Sequence, residues 1–541
     1  MYKDELKRNC LMDYDDQLVY AHKILTDNPD ILAWFHNQYH YICVDEAQDT
    51  SKLQHEIIRL LASKNNNIFM VGDEDQSIYE FRAAYPKALT NFKNDYPNPF
   101  ILYMERNYRS AIEIVSKAAG FIEKNRDRHK KQFVPDRGHG GHVQRIPVKT
   151  RAEQYEYMLG VAKSITSETA ILYRDNDTAI PLIDLMLRNN VPFQAMRVKG
   201  LFFTNKVVTD IQAFLKLSLN LYDADAFLKI YNKCGFWFTK EAAQGACNQS
   251  GREKLTIPDA LINQLETQGK SKDQAVAFKT FITSIGDRTT VEAINAIEER
   301  YITYARNNNL DYGKLELLST MAVSEPSINA FLLRLDELHE MMSEEKNLGD
   351  NGIILSTVHS SKGLEYDSVY IMDVYDGRFP GVDVSKIYES KAVMNRYQEE
   401  RRLFYVAMTR AKNNLYIMAI DGKNTSFVDE VLPVEGPKVQ PVQRVTAMAT
   451  DSIRKQLDEI EAANKRRQEE IERKQREAEE RAYEEVKGRF TQQTKIILDS
   501  LNRRWIQCEI CGKIKLESEF KSYGGPNHVN LGVCADCHQK Q

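Results

Sequence analysis

The hydrophobic pattern changes period several times along the chain, and each change predicts an element. Residues 41–44 (YICV) form an apolar run too short for a helix, with β-branched Ile42 and Val44, and they predict a buried strand. The run ends in Asp45 and Glu46, with Asp49 close behind. Residues 67–73 (NIFMVGD) and 101–104 (ILYM) predict two further strands. Residues 1–40 are helical in pattern, with Asp13, Asp15 and Asp16 placed to cap or begin a helix carrying Leu18, Ile24 and Leu25. Thr50 or Ser51 can cap a helix with Leu53, Ile57, Leu60 and Leu61 on one face. Strands alternating with helices predict a parallel, doubly wound α/β sheet.

A second set of strands is predicted at residues 170–174, 352–359, 368–374 and 414–420. Between about residues 205 and 346 the pattern turns helical, so a second α/β domain is interrupted by a helical insertion. Residues 432–450 carry three prolines and read as a linker. Residues 451–490 then show dense alternating charge, with Glu461/Lys465, Glu469/Arg473 and Glu477/Arg481 at helical i,i+4 spacing. Apolar positions there are sparse, which fits a solvated single helix or a weakly pairing coiled coil.

Composition narrows the class. The chain has 541 residues, 42% hydrophobic and 28% charged, which describes a soluble protein of several domains. No apolar run is long enough to span a bilayer, and the start, MYKDELKRNC, lacks a signal core, so no membrane partner and a cytoplasmic location are expected. The net charge of −4 requires any nucleic-acid surface to be local. Eight cysteines in so long a chain do not make a disulfide scaffold.

The candidate chemistry sits where the predicted strands end. Carboxylates such as Asp45 and Glu46 at the C-terminal end of a strand can hold a hydrated Mg²⁺ and orient a water for attack on phosphate. They can equally be a turn that only caps the next helix. Gln76 follows Gly72-Asp73, and a neutral amide there can sense a terminal phosphate. Tyr79 and Phe81 alternate with Arg82, a pattern for stacking on bases, or else for core packing after a turn. Arg109 in NYRS and Arg410 in EERRLFYVAMTRAK can stabilise a transferred phosphoryl group, although either alone also suits a surface ion pair. The loop TVHSSKGLEYDSV places a glycine between Lys362 and Glu365.

DEAQD, GDEDQSIYEFR, NYRS, TVHSSKGLEYDSV and EERRLFYVAMTRAK occur in one order from Asp45 to Lys412. Together they resemble motifs II to VI of the UvrD/PcrA/Rep family of superfamily-one DNA helicases, over roughly residues 1–425. The resemblance implies a partial first RecA-like domain (1–106) and a second RecA-like domain with parallel sheets (107–204 and 347–431). A helical insertion (205–346) interrupts the second. A linker (432–450), a long charged helix (451–503) and a small module (504–541) follow.

The resemblance further implies that Asp45 holds Mg²⁺ and that Glu46 is the base for the attacking water. Gln76 would contact the γ-phosphate of ATP, and Arg109 and Arg410 would be arginine fingers. Tyr108 would stack on adenine and Glu365 would contact the ribose. Tyr79, Phe81 and Arg82 would face single-stranded DNA, with Thr357 and His359 near the path that couples it to the nucleotide. The implied activity is ATP-dependent 3′–5′ unwinding of duplex DNA.

Three departures from the family pattern stand out. Phe81 replaces a common tryptophan, and Ala83 replaces a usual glycine. The phosphate-binding loop GxxxxGK[ST] does not precede the acidic strand, and the GKS at residues 269–271 has Gln264 where the first glycine belongs. The chain thus reads as a helicase lacking an N-terminal part: a truncated product, a mis-called start, or one half of a split enzyme whose separate N-terminal fragment carries the phosphate-binding loop. The other reading is a non-catalytic DNA-binding or adaptor protein derived from one.

Near the end, Cys508-x2-Cys511 and Cys534-x2-Cys537 stand twenty-two residues apart. Two such pairs are the usual knuckles of a structural Zn²⁺ site. His528 and His538 are nearby alternatives, and Lys513, Lys515, Lys521 and Trp505 suit contact with nucleic acid or with protein.

Overall fold

The computed structural model describes residues 2–196, 200–343 and 352–433, together with the backbone of three short strands near the C-terminus. The chain forms two compact units, Met1–Glu435 and Gly436–Gln541.

The first unit opens with three helices, α1 (Tyr2–Arg8), α2 (Tyr14–Asp27) and α3 (Pro29–Gln38). Asp13 and Asp16 close a capping box at the start of α2, and Pro29 begins α3 where its missing N–H costs nothing. Strands β1 (Ile42–Val44) and β2 (Ile68–Met70) pair in parallel, with Cys43 opposite Phe69. The connecting helix α4 (Lys52–Ala62) is capped by Ser51, which completes a capping box with Gln54. Two short turns of helix, α5 (Lys87–Thr90) and α6 (Phe92–Asp95), come next.

Residues 101–104 do not form the strand expected from their apolar composition. Leu102 and Met104 are 74% and 88% exposed, and no described strand lies alongside them. Apolar composition alone does not make a strand without a neighbour to complete its hydrogen-bond ladder. The chain pairs only further on, where β3 (Arg106–Asn107) meets β4 (Val134–Pro135).

The main sheet has six parallel strands, β5 (His142–Val148), β6 (Thr169–Tyr173), β7 (Gln194–Ala195), β8 (Ile353–Thr357), β9 (Tyr366–Ile371) and β10 (Ala411–Ile420). Their spatial order is β5-β10-β9-β6-β8-β7. Every residue of β6 is buried, as parallel strands covered on both faces require. β5 contains Pro147, which is tolerated because β5 is an edge strand. Helices α7 (Ile112–Ile122), α18 (Lys391–Met408) and α19 (Ser426–Val431) share one core, where Phe121, Phe379, Phe404 and Phe427 pack edge to face. Helices α8 (Arg151–Ser164) and α9 (Ala179–Arg188) share the other core, which continues into the helices that follow.

Between β7 and β8 the described chain runs through eight α-helices, α10 (Lys206–Leu219) to α17 (Ile328–Ser343). A buried ionic cluster lies inside this bundle. Asp210, 0% exposed, accepts from the Tyr301 hydroxyl at 2.6 Å and pairs with Lys233 at 2.5 Å. The GKS tripeptide follows a helix that ends at Thr267, with Gly269 at φ 64, so it is a helix end and not a phosphate loop.

In the second unit, β11 (Ile496–Leu498), β12 (Arg504–Gln507) and β13 (Ile514–Leu516) form an antiparallel sheet. Ile496–Leu498 corrects the expectation of helix up to residue 503, since this apolar, partly β-branched triplet pairs as a strand. The rest of the charged stretch, the linker from residue 434, and Cys508, Cys511, Cys534 and Cys537 lie outside the described residues. Among the described residues, no helix is long and apolar enough to cross a membrane.

Candidate nucleotide and nucleic-acid site

The acidic turn after β1 is built by its backbone. Glu46 adopts φ 48, ψ 40, a left-handed conformation uncommon for a residue with a side chain. That twist exposes both the Asp45 and Glu46 carboxylates, and the Glu46 N–H donates to Asp45 Oδ1 at 2.9 Å.

Gln48, only 1% exposed, locks the turn. Its Nε2 donates to Glu46 Oε2, and its Oε1 accepts from the Asp73 N–H at 3.0 Å. Gly72 makes room for this link, since a Cβ there would stand 2.4 Å from Gln48 Oε1. Nothing in the DEAQD pattern marks Gln48 for this role.

Asp73 in turn orients Gln76, accepting from its Nε2 at 2.8 Å. Burial raises the Asp73 carboxyl, but Lys131 at 2.5 Å and the Gln76 amide outweigh it, and the net shift is downward. Arg128 fixes the neighbouring Asp75 in a bidentate pair, with bonds of 2.7 and 2.9 Å.

The second sheet brings cations to this turn. Lys362, from the loop after β8, sits 2.5 Å from Asp49 Oδ2 and 3.7 Å from Glu46 Oε2, and it donates to the Gln76 carbonyl at 2.9 Å. Burial and the nearby Glu46 raise the Asp49 carboxyl, while Lys362 pulls it down; the net shift is upward. Asp49 Oδ1 is buried without a hydrogen-bond partner among the described residues. Lys362 is the functional candidate that sequence reasoning left unassigned, although it stands in the quoted KG turn.

Arg410 is 1% exposed, and its Nη2 lies 3.5 Å from Gln76 Oε1. Its Nε and Nη1 donate to the Val406 and Leu364 carbonyls, which fix the guanidinium. Burial and the nearby Arg109 lower it to about 10, so it stays charged at neutral pH. Arg109 donates to Glu365 Oε2 at 2.7 Å, and Lys412 holds the other Glu365 oxygen at 3.2 Å. Those partners, Arg109 first, keep Glu365 below the usual carboxylate range. Tyr108 leaves its ring 66% exposed beside them.

The residues expected to meet DNA also converge. The rings of Tyr79 and His359 lie 6.0 Å apart, and Phe81 meets His359 edge to face at 5.5 Å. Arg82 lies 5.4 Å from the centroids of both Tyr79 and Phe81, while Phe81 stays 64% exposed. The Tyr79 hydroxyl donates to the His359 carbonyl at 3.2 Å, linking the two parts of the unit. Thr357, at the end of β8, donates its hydroxyl to Ser360 Oγ and accepts from the Ser360 N–H, and makes no described contact with the aromatic cluster. Burial first, then Arg174, Arg82 and Lys362, push His359 down to about 4. Ala83 adopts φ 62, a left-handed conformation that glycine takes without strain.

Among the described residues, no group of three or more His, Cys, Asp or Glu side chains could hold a metal ion. Mg²⁺ does not need one, because it keeps several waters and uses one or two carboxylates with substrate phosphates. The exposed Asp45 carboxylate and the orphaned Asp49 oxygen fit a hydrated ion of that kind.

Residues 1–97 match the UvrD/REP helicase N-terminal domain, and residues 102–315 and 308–422 match the UvrD-like helicase C-terminal domain. The chain is 30% identical over 432 residues to the putative ATP-dependent DNA helicase YjcD of Bacillus subtilis, covering 77% of this chain and 56% of that one. It is 28% identical over 454 residues to the ATP-dependent DNA helicase PcrA of Staphylococcus epidermidis, covering 77% of this chain and 60% of PcrA. The match to PcrA of Staphylococcus aureus is 28% over 452 residues, again 77% and 60%. The chain therefore spans less than two thirds of the length of these relatives, and by its domain matches it belongs to the UvrD-like helicase family.

Proposed function

We propose that this chain is the main part of an ATP-driven DNA helicase that moves 3′ to 5′ on single-stranded DNA and unwinds duplex. One observation supports the reading: Lys362, from the loop after β8, pairs with Asp49 and nears Glu46 in the turn after β1, while Arg410 comes within 3.5 Å of Gln76.

ATP would lie in that cleft as substrate. Tyr108 would stack on its adenine and Glu365 would bind its ribose. Mg²⁺, held by Asp45 with Asp49 near, would neutralise phosphate charge. Glu46 would orient the attacking water and take its proton as the bond to the γ-phosphorus forms and the bond to the leaving oxygen breaks. Gln76 would read the γ-phosphate, and Arg109 and Arg410 would meet the charge that builds on it. Tyr79, Phe81, Arg82, His359 and Thr357 would form the single-strand track, with the Tyr79–His359 bond relaying movement between the two parts. The four tail cysteines would hold a structural Zn²⁺.

The site needs a phosphate cradle that no GxxxxGK[ST] motif in this sequence provides. That same observation favours a second reading, a DNA-binding adaptor without turnover. Strand separation in the presence of ATP and a phosphate-loop segment distinguishes them. Unwinding of duplexes with a 3′ tail and not a 5′ tail is expected. Unwinding from 5′ tails contradicts the polarity, and tight DNA binding without any ATP hydrolysis supports the adaptor.

A further inference from the structure

Three consecutive carboxylates, Asp73, Glu74 and Asp75, precede Gln76, and Glu74 and Asp75 are 4% and 1% exposed. Side by side and out of water, such groups repel one another and tend to take up protons. Each instead meets a partner from one short stretch after α7. Lys131 Nζ lies 2.5 Å from Asp73 Oδ1, 3.0 Å from Asp75 Oδ2 and 3.5 Å from Glu74 Oε1. The His129 N–H donates to Glu74 Oε1 at 2.8 Å, and Arg128 grips Asp75. The stretch is itself anchored to α18. Asn125 Nδ2 donates to the Gln398 carbonyl and the Arg126 N–H to Gln398 Oε1, both at 3.0 Å.

These contacts set the direction of the Gln76 amide. Asp73 Oδ2 accepts from Gln76 Nε2, while Asp73 Oδ1 accepts from Lys131 and from the Asp75 N–H at 3.1 Å. An ionised carboxylate accepts at both oxygens, and a protonated one turns part of that capacity into a donor. With Nε2 tied to Asp73 and Oε1 beside Arg410 Nη2, the amide keeps one N–H to donate. Burial works against the Lys131 charge, yet Asp73, Asp75 and Glu74 outweigh it, and the net shift is upward. Tyr405 of α18 also faces this cluster. Burial first, then Asp73 and Asp75, raise its hydroxyl well above the usual value, so it stays neutral.

We propose that residues 128–131 form a cationic clasp that positions Gln76 for the γ-phosphate, with Lys131 as its central positioning residue. Lys131 acts through Asp73 and not on the nucleotide: it keeps Asp73 an acceptor, so the remaining Gln76 N–H is held ready for a phosphate oxygen. The inference rests on the ATPase reading above for what Gln76 contacts, and on the contacts themselves for the clasp.

The test uses the full chain with Lys131→Met and Lys131→Arg, and has two arms. The first is urea unfolding from about pH 4 to 8. In the wild type, ionised Asp73 adds stability above its unfolded value and loses it as pH falls. Without Lys131, burial lifts the same carboxyl. The gap between wild type and Lys131→Met should therefore be widest at neutral pH and close towards acid, and Lys131→Arg should narrow it throughout. Should Lys131→Met not fold, Lys131→Gln, which also loses the charge, carries the same expectation. The second arm is hydrolysis of Mg-ATP with oligo-dT and a phosphate-loop segment. Lys131→Met should lower kcat about ten- to hundredfold at neutral pH with KM little changed, and the loss should shrink as pH rises and Asp73 ionises. Lys131→Arg should restore most of the rate.

A stability gap that is absent or the same at every pH would overturn the clasp, because Lys131 would then only fill space. A kcat loss that ignores pH, or a rise in KM alone, would overturn positioning through Asp73. If the wild type hydrolyses no ATP, the ATPase reading fails, while the stability arm by itself still upholds or overturns the clasp.

Discussion

At the residue scale, the account turns on a few side chains whose partners are distant in sequence. Gln48 joins Glu46 to the Asp73 N–H, and Gly72 leaves the space for it. Gly72→Ala should push Gln48 aside, lower stability by about 1–3 kcal/mol and loosen Glu46. Urea unfolding together with ATP turnover of the complete assembly measures both effects; an unchanged midpoint would show that Gln48 is not held there. His359 gives a pH signature. Its folded value of about 4 lies below the usual 6.5, so the unfolded chain binds its proton first as pH falls. This contribution to stability is present above pH 6.5 and is lost between about 6.5 and 4, as Arg174, Arg82 and Lys362 repel the incoming charge. His359→Gln should flatten the stability profile in that window.

Asp45, Glu46 and Gln76 stand out in the sequence because each follows a predicted strand, and Arg109 because it follows residues 101–104, whereas Arg410 lies on a predicted helix and stands out only through its motif. The sequence did not reveal Gln48 or Lys362. Lys362 reads as part of a turn, and its partner Asp49 lies on a different sheet, 313 residues away in the chain.

At the scale of elements, hydrophobic period located β1, β2 and the central strands of the main sheet, and misread residues 101–104. Residues 169–173 and 366–371 are apolar and central, and they are strands. Residues 101–104 are equally apolar yet exposed and unpaired, because pairing needs a neighbour that composition cannot supply. β5 went unforeseen because Arg145 and Pro147 break its apolar run, and β7 because two residues carry no period.

The end of β9 also explains a cost hidden from sequence. Asp373 is 0% exposed and accepts from Arg151, from Thr178 Oγ1 at 2.8 Å and from Gln154 Nε2 at 2.9 Å. Burial raises its carboxyl, yet Arg151 and the hydrogen bonds outweigh that and hold it below its usual value. Arg151→Met strands this charge and should cost about 3–5 kcal/mol. Urea unfolding reads this loss, and a change under about 1 kcal/mol would show that Thr178 and Gln154 suffice.

At the scale of the whole molecule, the Met1–Glu435 unit couples its N-terminal part to the main sheet through polar links. Arg402 pairs with Glu80 at 2.7 Å, the Glu80 N–H donates to Glu399 at 3.1 Å, and Lys362 holds Asp49. These links tie the loop that carries the aromatic cluster, and the carboxylate turn, to the main sheet.

The most direct test is the rate of ATP hydrolysis, with and without oligo-dT, by the chain mixed with the phosphate-loop segment, compared between wild type and Glu46→Gln. The account predicts hydrolysis in the mixture, stimulation by oligo-dT, and a loss of about 10²–10⁴-fold in the variant with DNA binding intact. Hydrolysis that survives Glu46→Gln, or none in a mixture whose complex has formed, would contradict it.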